Sequence, residues 1–340
     1  MSVNAASGRR KVAAALCAGL FGACAAPALA QQITIKIAHP TIKASMDHWA
    51  FTFKQGIEKR APGRVKVDVF PGGQLGTQPA TISGVQLGTI EMSQMPSESL
   101  SGVDQRVDAF NAPGLFEDIS HAHRAVHDPQ FKKAVWPILD ARNLHVVGFA
   151  CETMSEYVTV EPVRALSEFK GKKIRVLGSR IEVEIVRRLG ATGVPMQLSE
   201  ALPGLQQKAI DGVRGGMPIF VPFKFATVAP NLTRTGEAPI CVPKFVSKLW
   251  FDKLPADIRT MVAEEAAKAD EANIAWNVEN LKKLYAAWTQ QKGVTHELSP
   301  SDKAELRKRL RTVGDDVFKD QPQVKATYEA LKAAAARTRK

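Results

Sequence analysis

The sequence predicts an α/β protein of two lobes that are joined by extended segments passing between them. From residue 33 onward, segments that alternate apolar and polar residues are interleaved with segments of helical spacing, as in an α/β domain with a largely parallel sheet. Roughly 310 residues follow an N-terminal export signal, a length that favours two domains over one. Two long extended runs, near 143–160 and 232–248, are the predicted crossings between the halves.

The first 30 residues have the organisation of a secretory signal peptide. A basic stretch at 9–11 precedes an apolar run at 12–26, and Ala28-Leu29-Ala30 provides small residues before Gln31. The apolar run is too short and too rich in alanine for a durable transmembrane anchor. We therefore predict cleavage near Gln31 and a mature protein located in the periplasm.

Two other interpretations of this segment stay open. The run that ends at Cys24 loosely resembles a lipoprotein cleavage box, and Arg9-Arg10 resembles the twin-arginine export signal. Both patterns are imperfect in this chain, so cleavage before Gln31 is the favoured prediction.

The first half of the mature chain predicts a β-α-β start followed by further alternation. Residues 33–39 and 64–70 alternate as strands do, and the segment between them has helical spacing at Trp49, Phe53 and Ile57. Further predicted elements are a helix at 78–87, a strand at 91–95, a helix at 122–141 and the strand-like run at 145–160.

The second half continues the same alternation and then changes to a long helix. Its predicted elements are a strand at 173–177, helices at 181–189 and 199–209, an extended segment at 216–219 and an amphipathic helix at 255–291. That helix is long enough to be broken, and Trp276 and Trp288 fall on its apolar face.

The charge of the chain is strongly basic, but it does not predict a nucleic-acid partner. The whole chain has 46 Lys and Arg against 34 Asp and Glu, a formal charge of +12. These residues are scattered, and no basic cluster interleaved with aromatic residues occurs. We interpret the excess as a solvated basic surface that favours the capture of anions.

Two cysteines, Cys151 and Cys241, lie in the predicted mature chain. An oxidising compartment favours a disulfide between them, whereas their apolar surroundings are equally typical of buried free thiols. Sequence alone leaves both alternatives open, because the bond requires a geometry that spacing does not reveal.

The stretch GKKIRVLGS, residues 171–179, places an arginine in an apolar strand. Arg175 stands between Ile174 and Val176, and a guanidinium keeps its charge in a protein. The residue must therefore meet a carboxylate, a phosphate or water at its tip. It is either one half of a structural ion pair or the anchor of an anionic ligand.

Five segments in register resemble the DctP-type solute-binding proteins of tripartite ATP-independent periplasmic (TRAP) transporters. They cover most of residues 33–290, and their combination is more specific than any one motif. They are GGQLGTQPATISGVQLGTIEMS (72–93), FNAPGLFEDISHAHRAV (110–126), FKGKKIRVLGS (169–179), LGATGVPMQLSEALPGLQQKAIDG (189–212) and LWFDKLPADIR (249–259).

The resemblance implies a two-lobed binding protein that closes about a hinge on an organic acid and delivers it to membrane permease subunits. It implies neither a cofactor nor a metal. Arg175 stands at the family's carboxylate-binding arginine, a role that suits the planar, bidentate fork of a guanidinium. The implied organisation is lobe 1 at 31–150, lobe 2 at 151–231, and a region at 232–340 that contributes a crossing strand and helices packing on both lobes.

The sequence departs from the family pattern at two positions that bear on the ligand. Where many relatives carry a second arginine, this chain has Gly148 and then, a few residues on, Glu152. Where relatives carry a ligand-contacting asparagine, this chain has Arg214 followed by two glycines. Either Arg214 supplies the second cation, or the ligand is a monocarboxylate with an apolar or aromatic body. Glu152 is expected to pair with a cation such as Arg175 or to face a donor on the ligand.

Several other residues are candidates for the ligand-binding cleft. Met217 and Phe220 follow the Arg214 segment, although such spacing is also typical of a core. His39 and Trp49 flank the first strand-to-helix loop, and Met95 ends a strand of the first lobe.

Two further kinds of site are disfavoured by the residues. His121, His123 and His127 resemble a metal cluster, but their spacing does not place three ligands on one helix face. No esterase, zinc-protease or phosphate-loop motif occurs. The alternatives to a transport protein are a periplasmic enzyme acting on a carboxylate, and a binding protein that reports to a sensor instead of a permease.

Overall fold

A computed structural model describes residues 32–340 of the chain. The predicted signal peptide, the residues on both sides of its predicted cleavage site, and Cys17 and Cys24 lie outside the described residues. Across 32–340, no helix combines the length and the apolar character that a membrane crossing needs.

The structure contains two sheets, and each forms the centre of one lobe. The strands are β1 (Ile33–Ala38), β2 (Val65–Phe70), β3 (Met92–Gln94), β4 (Leu144–Met154), β5 (Glu156–Thr159), β6 (Lys173–Val176), β7 (Thr192–Pro195), β8 (Gly212–Gly215), β9 (Asn231–Arg234), β10 (Pro239–Ser247) and β11 (Val294–Glu297). The first sheet has the order β2-β1-β3-β10-β4, and the second has the order β11-β9-β5-β8-β6-β7. The predicted two-lobed α/β class is confirmed.

The helices cover the two sheets. They are α1 (Ser45–Arg60), α2 (Gln78–Leu87), α3 (Ile119–Val126), α4 (Pro129–Val135), α5 (Arg180–Arg188), α6 (Leu198–Gln206), α7 (Met217–Phe220), α8 (Lys248–Phe251), α9 (Ala256–Gln290), α10 (Pro300–Leu310), α11 (Val313–Phe318) and α12 (Pro322–Thr338). Short 3-10 segments occur at Ser97–Leu100, Gln105–Asn111, Trp136–Arg142, Leu166–Phe169 and Phe225–Thr227.

The β-α-β start forms as its spacing predicts. β1 pairs in parallel with β2 and β3. Trp49, Phe53 and Ile57 of α1 are fully buried in the first-lobe core beside β1. Helical spacing places these three side chains on one face, so burying that face fixes α1 against the sheet.

The two crossing segments run side by side. β4 pairs antiparallel with β10, and after Ser155 the chain continues from β4 into β5 of the second sheet. In the other direction, β9 of the second sheet leads to β10 of the first. The predicted crossings near 143–160 and 232–248 are therefore present, whereas the predicted lobe boundaries stay a prediction.

The helix α9 is unbroken over its 35 residues and reaches both lobes. Ile258 and Val262 pack in the first-lobe core, whereas Leu284 and Trp288 pack in the second-lobe core. Trp276 is half-buried and stacks on His48 of α1. A single continuous helix thus contributes side chains to both cores.

Two predicted elements are wrong in detail. The predicted helix at 122–141 is divided into α3, α4 and a 3-10 segment, because Pro129 and Pro137 cannot donate the backbone hydrogen bonds of a continuous helix. Residues 216–219 are not extended: Pro218 stands in the first turn of α7, and the strand lies just before it at β8.

Cys151 of β4 and Cys241 of β10 form a disulfide. The register pairs these two residues directly across the crossing strands. Both are buried in the first-lobe core, with exposed fractions of 5% and 1%. Of the two alternatives that the sequence leaves open, the structure contains the bonded one.

We expect removal of this disulfide by a Cys151→Ala/Cys241→Ala double substitution to lower the free energy of unfolding by about 2–4 kcal/mol. The bond joins residues 90 apart in sequence, so it restricts the unfolded chain strongly. Denaturant unfolding with and without dithiothreitol measures the effect. The reductant should destabilise the wild-type protein and leave the double variant unchanged; equal midpoints for all four samples would contradict the bond.

Candidate functional site

Arg175 lies on β6 with its guanidinium buried and incompletely paired. Its exposed fraction is 3%, and its Nε donates to the Met196 carbonyl at 2.8 Å. Its Nη2 atom has no hydrogen-bond partner, and no carboxylate among residues 32–340 approaches it within salt-bridge distance. Burial lowers the pKa of Arg175 to about 10, which leaves the side chain charged at neutral pH.

A cavity of about 60 Å³ lies against Arg175 between the lobes. Residues of both sheets line this cavity, so it lies where the two lobes meet. First-lobe residues at this cavity are Pro40, Thr41, Gln78 and Glu98, and second-lobe residues are Glu182, Leu198, Arg214 and Pro218. A cation with unpaired donors at a partly open cavity between two lobes is suited to an anionic ligand.

A second cavity of about 310 Å³ adjoins the first and shares Pro40, Gln78 and Leu198 with it. Four atoms of its uncharged polar side chains have no hydrogen-bond partner, namely the carbonyl oxygens of Gln78 and Gln197 and both ring nitrogens of His39, although His39 Nε2 lies 3.9 Å from Asp47 Oδ1. Burial lowers the pKa of His39 to about 4, so the ring is uncharged at pH 7. The two glutamine oxygens can accept hydrogen bonds from a ligand hydroxyl, and the neutral His39 ring can accept one hydrogen bond and donate one.

Arg214 also reaches the first cavity, but its guanidinium is hydrogen-bonded to three protein side chains. Its Nε donates to Glu237 Oε1 at 3.0 Å, its Nη1 contacts Glu182, and its Nη2 donates to Asn111 Oδ1 at 2.9 Å. Burial opposes its charge, yet the Glu182 and Glu237 carboxylates raise the pKa of Arg214. Its geometry is that of a buried structural ion pair.

Glu152 lies at the wall of the first cavity and is paired with Lys244, not with Arg175. Its Oε2 accepts from the Ser45 hydroxyl, and its Oε1 lies 4.0 Å from Lys244 Nζ. Lys244 is fully buried and also lies 3.4 Å from Asp270 Oδ1. Burial raises the pKa of Glu152, while the Lys244 ammonium acts in the opposite direction.

The structure brings five of the eight candidate residues to the cavities and leaves three in the cores. Arg175, Arg214 and Glu152 line the first cavity, and His39 and Met95 line the second. The remaining three are fully buried among apolar neighbours: Trp49 in the first-lobe core, and Met217 and Phe220 in the second-lobe core. Our proposed site therefore leaves these three out.

Several cavity residues escape the sequence analysis. Glu98 follows β3 directly, and Glu182 lies in the first turn of α5 after β6. Both follow the carboxyl end of a parallel strand, where ligands of α/β sheets bind, and this placement is the signal that finds them. Lys244 does not line the cavity but lies behind Glu152, and no sequence pattern indicates this position.

The histidines of α3 serve as packing and hydrogen-bonding residues. His121 Nε2 lies 2.8 Å from the Ala335 carbonyl, and His123 stacks on His127. Within the part of the chain that the structure describes, no group of three His, Cys, Asp or Glu residues could hold a metal ion.

A scan of the chain against protein families finds one match over most of its length. Residues 41–321 match the DctP family model, described as bacterial extracellular solute-binding protein, family 7. The chain is also 28% identical over 315 residues to the C4-dicarboxylate-binding periplasmic protein DctP of Rhodobacter capsulatus, which covers 91% of this chain and 93% of that protein.

Solved structures share the fold at low sequence identity. A TRAP periplasmic solute-binding protein from Shewanella oneidensis, solved with bound succinate, has a TM-score of 0.83 and 23% identity, covering 89% of this chain and 99% of that one. The sugar-acid-binding protein DctPAm from Advenella mimigardefordensis, solved with galactonate, has a TM-score of 0.85 and 20% identity, covering 91% and 99%.

Proposed function

Because the chain belongs to the DctP family of bacterial extracellular solute-binding proteins, we propose that it captures an organic acid between its lobes and delivers it to the permease of a TRAP transporter. The observation that carries this proposal is the buried guanidinium of Arg175, which lacks a carboxylate partner among the described residues. Leaving such a charge unpaired is costly, and the carboxylate of a ligand would satisfy it.

We further propose that the ligand has one carboxylate at Arg175 and a hydroxylated body. The partners of Arg214 leave it poorly placed to serve as a second carboxylate anchor. The unpartnered oxygens and ring nitrogens of the second cavity favour hydroxyl groups over the apolar or aromatic body that the sequence also allows. Sugar acids combine these features, and a solved relative binds galactonate.

The proposed mechanism is closure of the two lobes on the ligand. An acid that binds Arg175 in one lobe and the polar groups of the other lobe has higher affinity for the closed state. Ligand binding therefore increases the fraction of closed protein, and the size of this increase is set by the difference in affinity between the closed and open states. The family and its structural neighbours are solute-binding proteins, and no catalytic step is proposed.

Ligand binding can be tested by thermal unfolding of the purified mature protein with galactonate, succinate and benzoate. Galactitol, which keeps the hydroxyl groups of galactonate but lacks its carboxylate, is the matched control. A ligand at 100 times its Kd should add about 2.7 kcal/mol to the free energy of unfolding. We expect galactonate to stabilise more than galactitol and benzoate. Stabilisation by galactitol alone would contradict the role of the carboxylate.

We also propose that the protein is exported and cut before Gln31. The Ala28-Leu29-Ala30 segment supports this site over the box that ends at Cys24. Intact-mass analysis of the periplasmic protein should give the mass of the chain from Gln31 onward. A mass that corresponds to lipid-modified Cys24 would contradict it.

A further inference from the structure

The first cavity contains more acidic than basic side chains. Glu98, Glu152 and Glu182 line it together with Arg175 and Arg214. Glu182 contacts Arg214, and Glu152 has Lys244 at 4.0 Å. Glu98 is the one lining carboxyl group without a Lys, Arg or His nitrogen within 4.0 Å among residues 32–340.

The side chains that hydrogen-bond to Glu98 are polar but uncharged. It lies in the 3-10 segment after β3, and its exposed fraction is 1%. Its Oε1 contacts the Asn111 amide group, and its Oε2 lies 3.2 Å from the Ser97 hydroxyl. A buried carboxylate without a cation is costly, and the usual response of such a group is to retain its proton.

The charged groups on neighbouring elements do not offset this burial. In the packed segment Gln105–Asn111, Arg106 pairs with Asp104, while Asp108 is itself a buried acid. Helix α2 carries no charged residue, and β10 contributes Lys244, which lies beside Glu152 and Asp270.

The second lobe presents one acid and two arginines to Glu98. Arg214 is already paired with Glu182 and Glu237, and Arg175 is held by the Met196 carbonyl. Burial, reinforced by the Glu182 carboxylate, raises the pKa of Glu98 to about 8, although Arg214 acts in the opposite direction.

We propose that Glu98 carries a proton when the lobes are closed, so that capture of an acid is coupled to the uptake of one proton. This inference rests on the proposed function. The proton serves two purposes in the closed cavity. It removes a negative charge that would repel the carboxylate at Arg175, and it makes Glu98 a hydrogen-bond donor toward the cavity.

The direction of the pH dependence follows from the two states of Glu98. In open protein we expect the carboxyl group to meet water and to titrate near the ordinary value of about 4.3. In closed protein it keeps its proton up to about pH 8. Between these two values closure takes up a proton, so affinity falls as pH rises, by up to about tenfold per pH unit. Below and above that window the effect of Glu98 on affinity is constant.

The test is calorimetric titration of the mature protein with galactonate and succinate at pH 6 and pH 8, each in two buffers of different ionisation enthalpy. For the acid that binds, wild-type protein should take up close to one proton at pH 6 and about half a proton at pH 8, and its affinity should fall by roughly fiftyfold between the two pH values. Glu98→Gln keeps a neutral polar side chain, so its affinity should be nearly independent of pH. The exposed control Glu279→Gln should behave as the wild type.

A second measurement monitors Glu98 at a saturating concentration of the acid that binds, where the lobes are closed. A carboxyl group whose pKa is raised by closure destabilises the closed state progressively as pH rises from about 4.3 to about 8. Under these conditions the Tm advantage of Glu98→Gln over wild type should therefore be larger at pH 8 than at pH 5. An equal advantage at both pH values, or acid binding without proton uptake, would overturn the inference and leave the proposed function intact. Failure of both acids to bind would instead count against the proposed function.

Discussion

Replacing Arg175 with alanine should reduce the affinity for the acid ligand by roughly thirtyfold to a few thousandfold. Truncating one member of a buried, hydrogen-bonded charge pair costs about 2–5 kcal/mol, and each 1.4 kcal/mol is a factor of ten in Kd. Arg175→Lys should also lose much of the affinity, because an ammonium keeps the charge but not the two parallel donors. Isothermal titration of the three proteins with the acid that stabilises the wild type measures both losses.

The stability of the ligand-free Arg175→Ala variant shows whether affinity is lost because a ligand contact is removed or because the fold is weakened. Arg175 donates to a backbone carbonyl and has no carboxylate within salt-bridge distance in the described chain, so its removal strands no buried acid. The free energy of unfolding of ligand-free Arg175→Ala should therefore stay close to the wild-type value. Strong destabilisation with intact affinity in the remaining folded protein would mean that Arg175 is structural.

Replacing Arg214 with methionine should have the opposite signature and destabilise the ligand-free protein by about 3–5 kcal/mol. Arg214 contacts Glu182 and Glu237, whose side chains are 4% and 1% exposed. Without the guanidinium these two carboxylates stay buried and lose their cation. Denaturant unfolding at pH 7 measures the loss.

Two variants control for the Arg214 result. Arg187 pairs with Glu184 on the exposed face of α5, so Arg187→Met should cost about 1 kcal/mol or less. Adding Glu182→Gln to Arg214→Met should recover part of the loss by removing one stranded charge. Wild-type stability of Arg214→Met together with lost acid binding would make Arg214 a ligand anchor.

The elements that the sequence predicts best are those whose local pattern agrees with their burial. α1 forms because its apolar residues recur at helical spacing, and β1 and β2 form because theirs alternate. The sequence patterns predict no element after residue 291, so the helices α10, α11 and α12 are not predicted. The interruption of the predicted 122–141 helix requires weighing two prolines against an otherwise continuous periodicity.

Within the site, the sequence indicates a residue most directly where it conflicts with the pattern of its own strand. Arg175 stands out because a permanent charge interrupts an apolar run, and that conflict points to a partner outside the strand. The role of Arg214 depends on Asn111 and Glu237, which are distant in sequence and meet it only in the fold. No local sequence pattern distinguishes an arginine that is paired with protein carboxylates from one that is available to a ligand. The sequence therefore leaves the role of Arg214 open.

A crystal structure of the mature protein with the acid that stabilises it most would locate the bound carboxylate directly. We expect the ligand between the lobes, with its carboxylate oxygens within hydrogen-bond distance of the Arg175 guanidinium and its body toward His39 and Gln78. Arg214 should keep its contacts with Glu182 and Glu237. A carboxylate bound at Arg214, or an acid bound outside the cleft with Arg175 unengaged, would contradict this expectation.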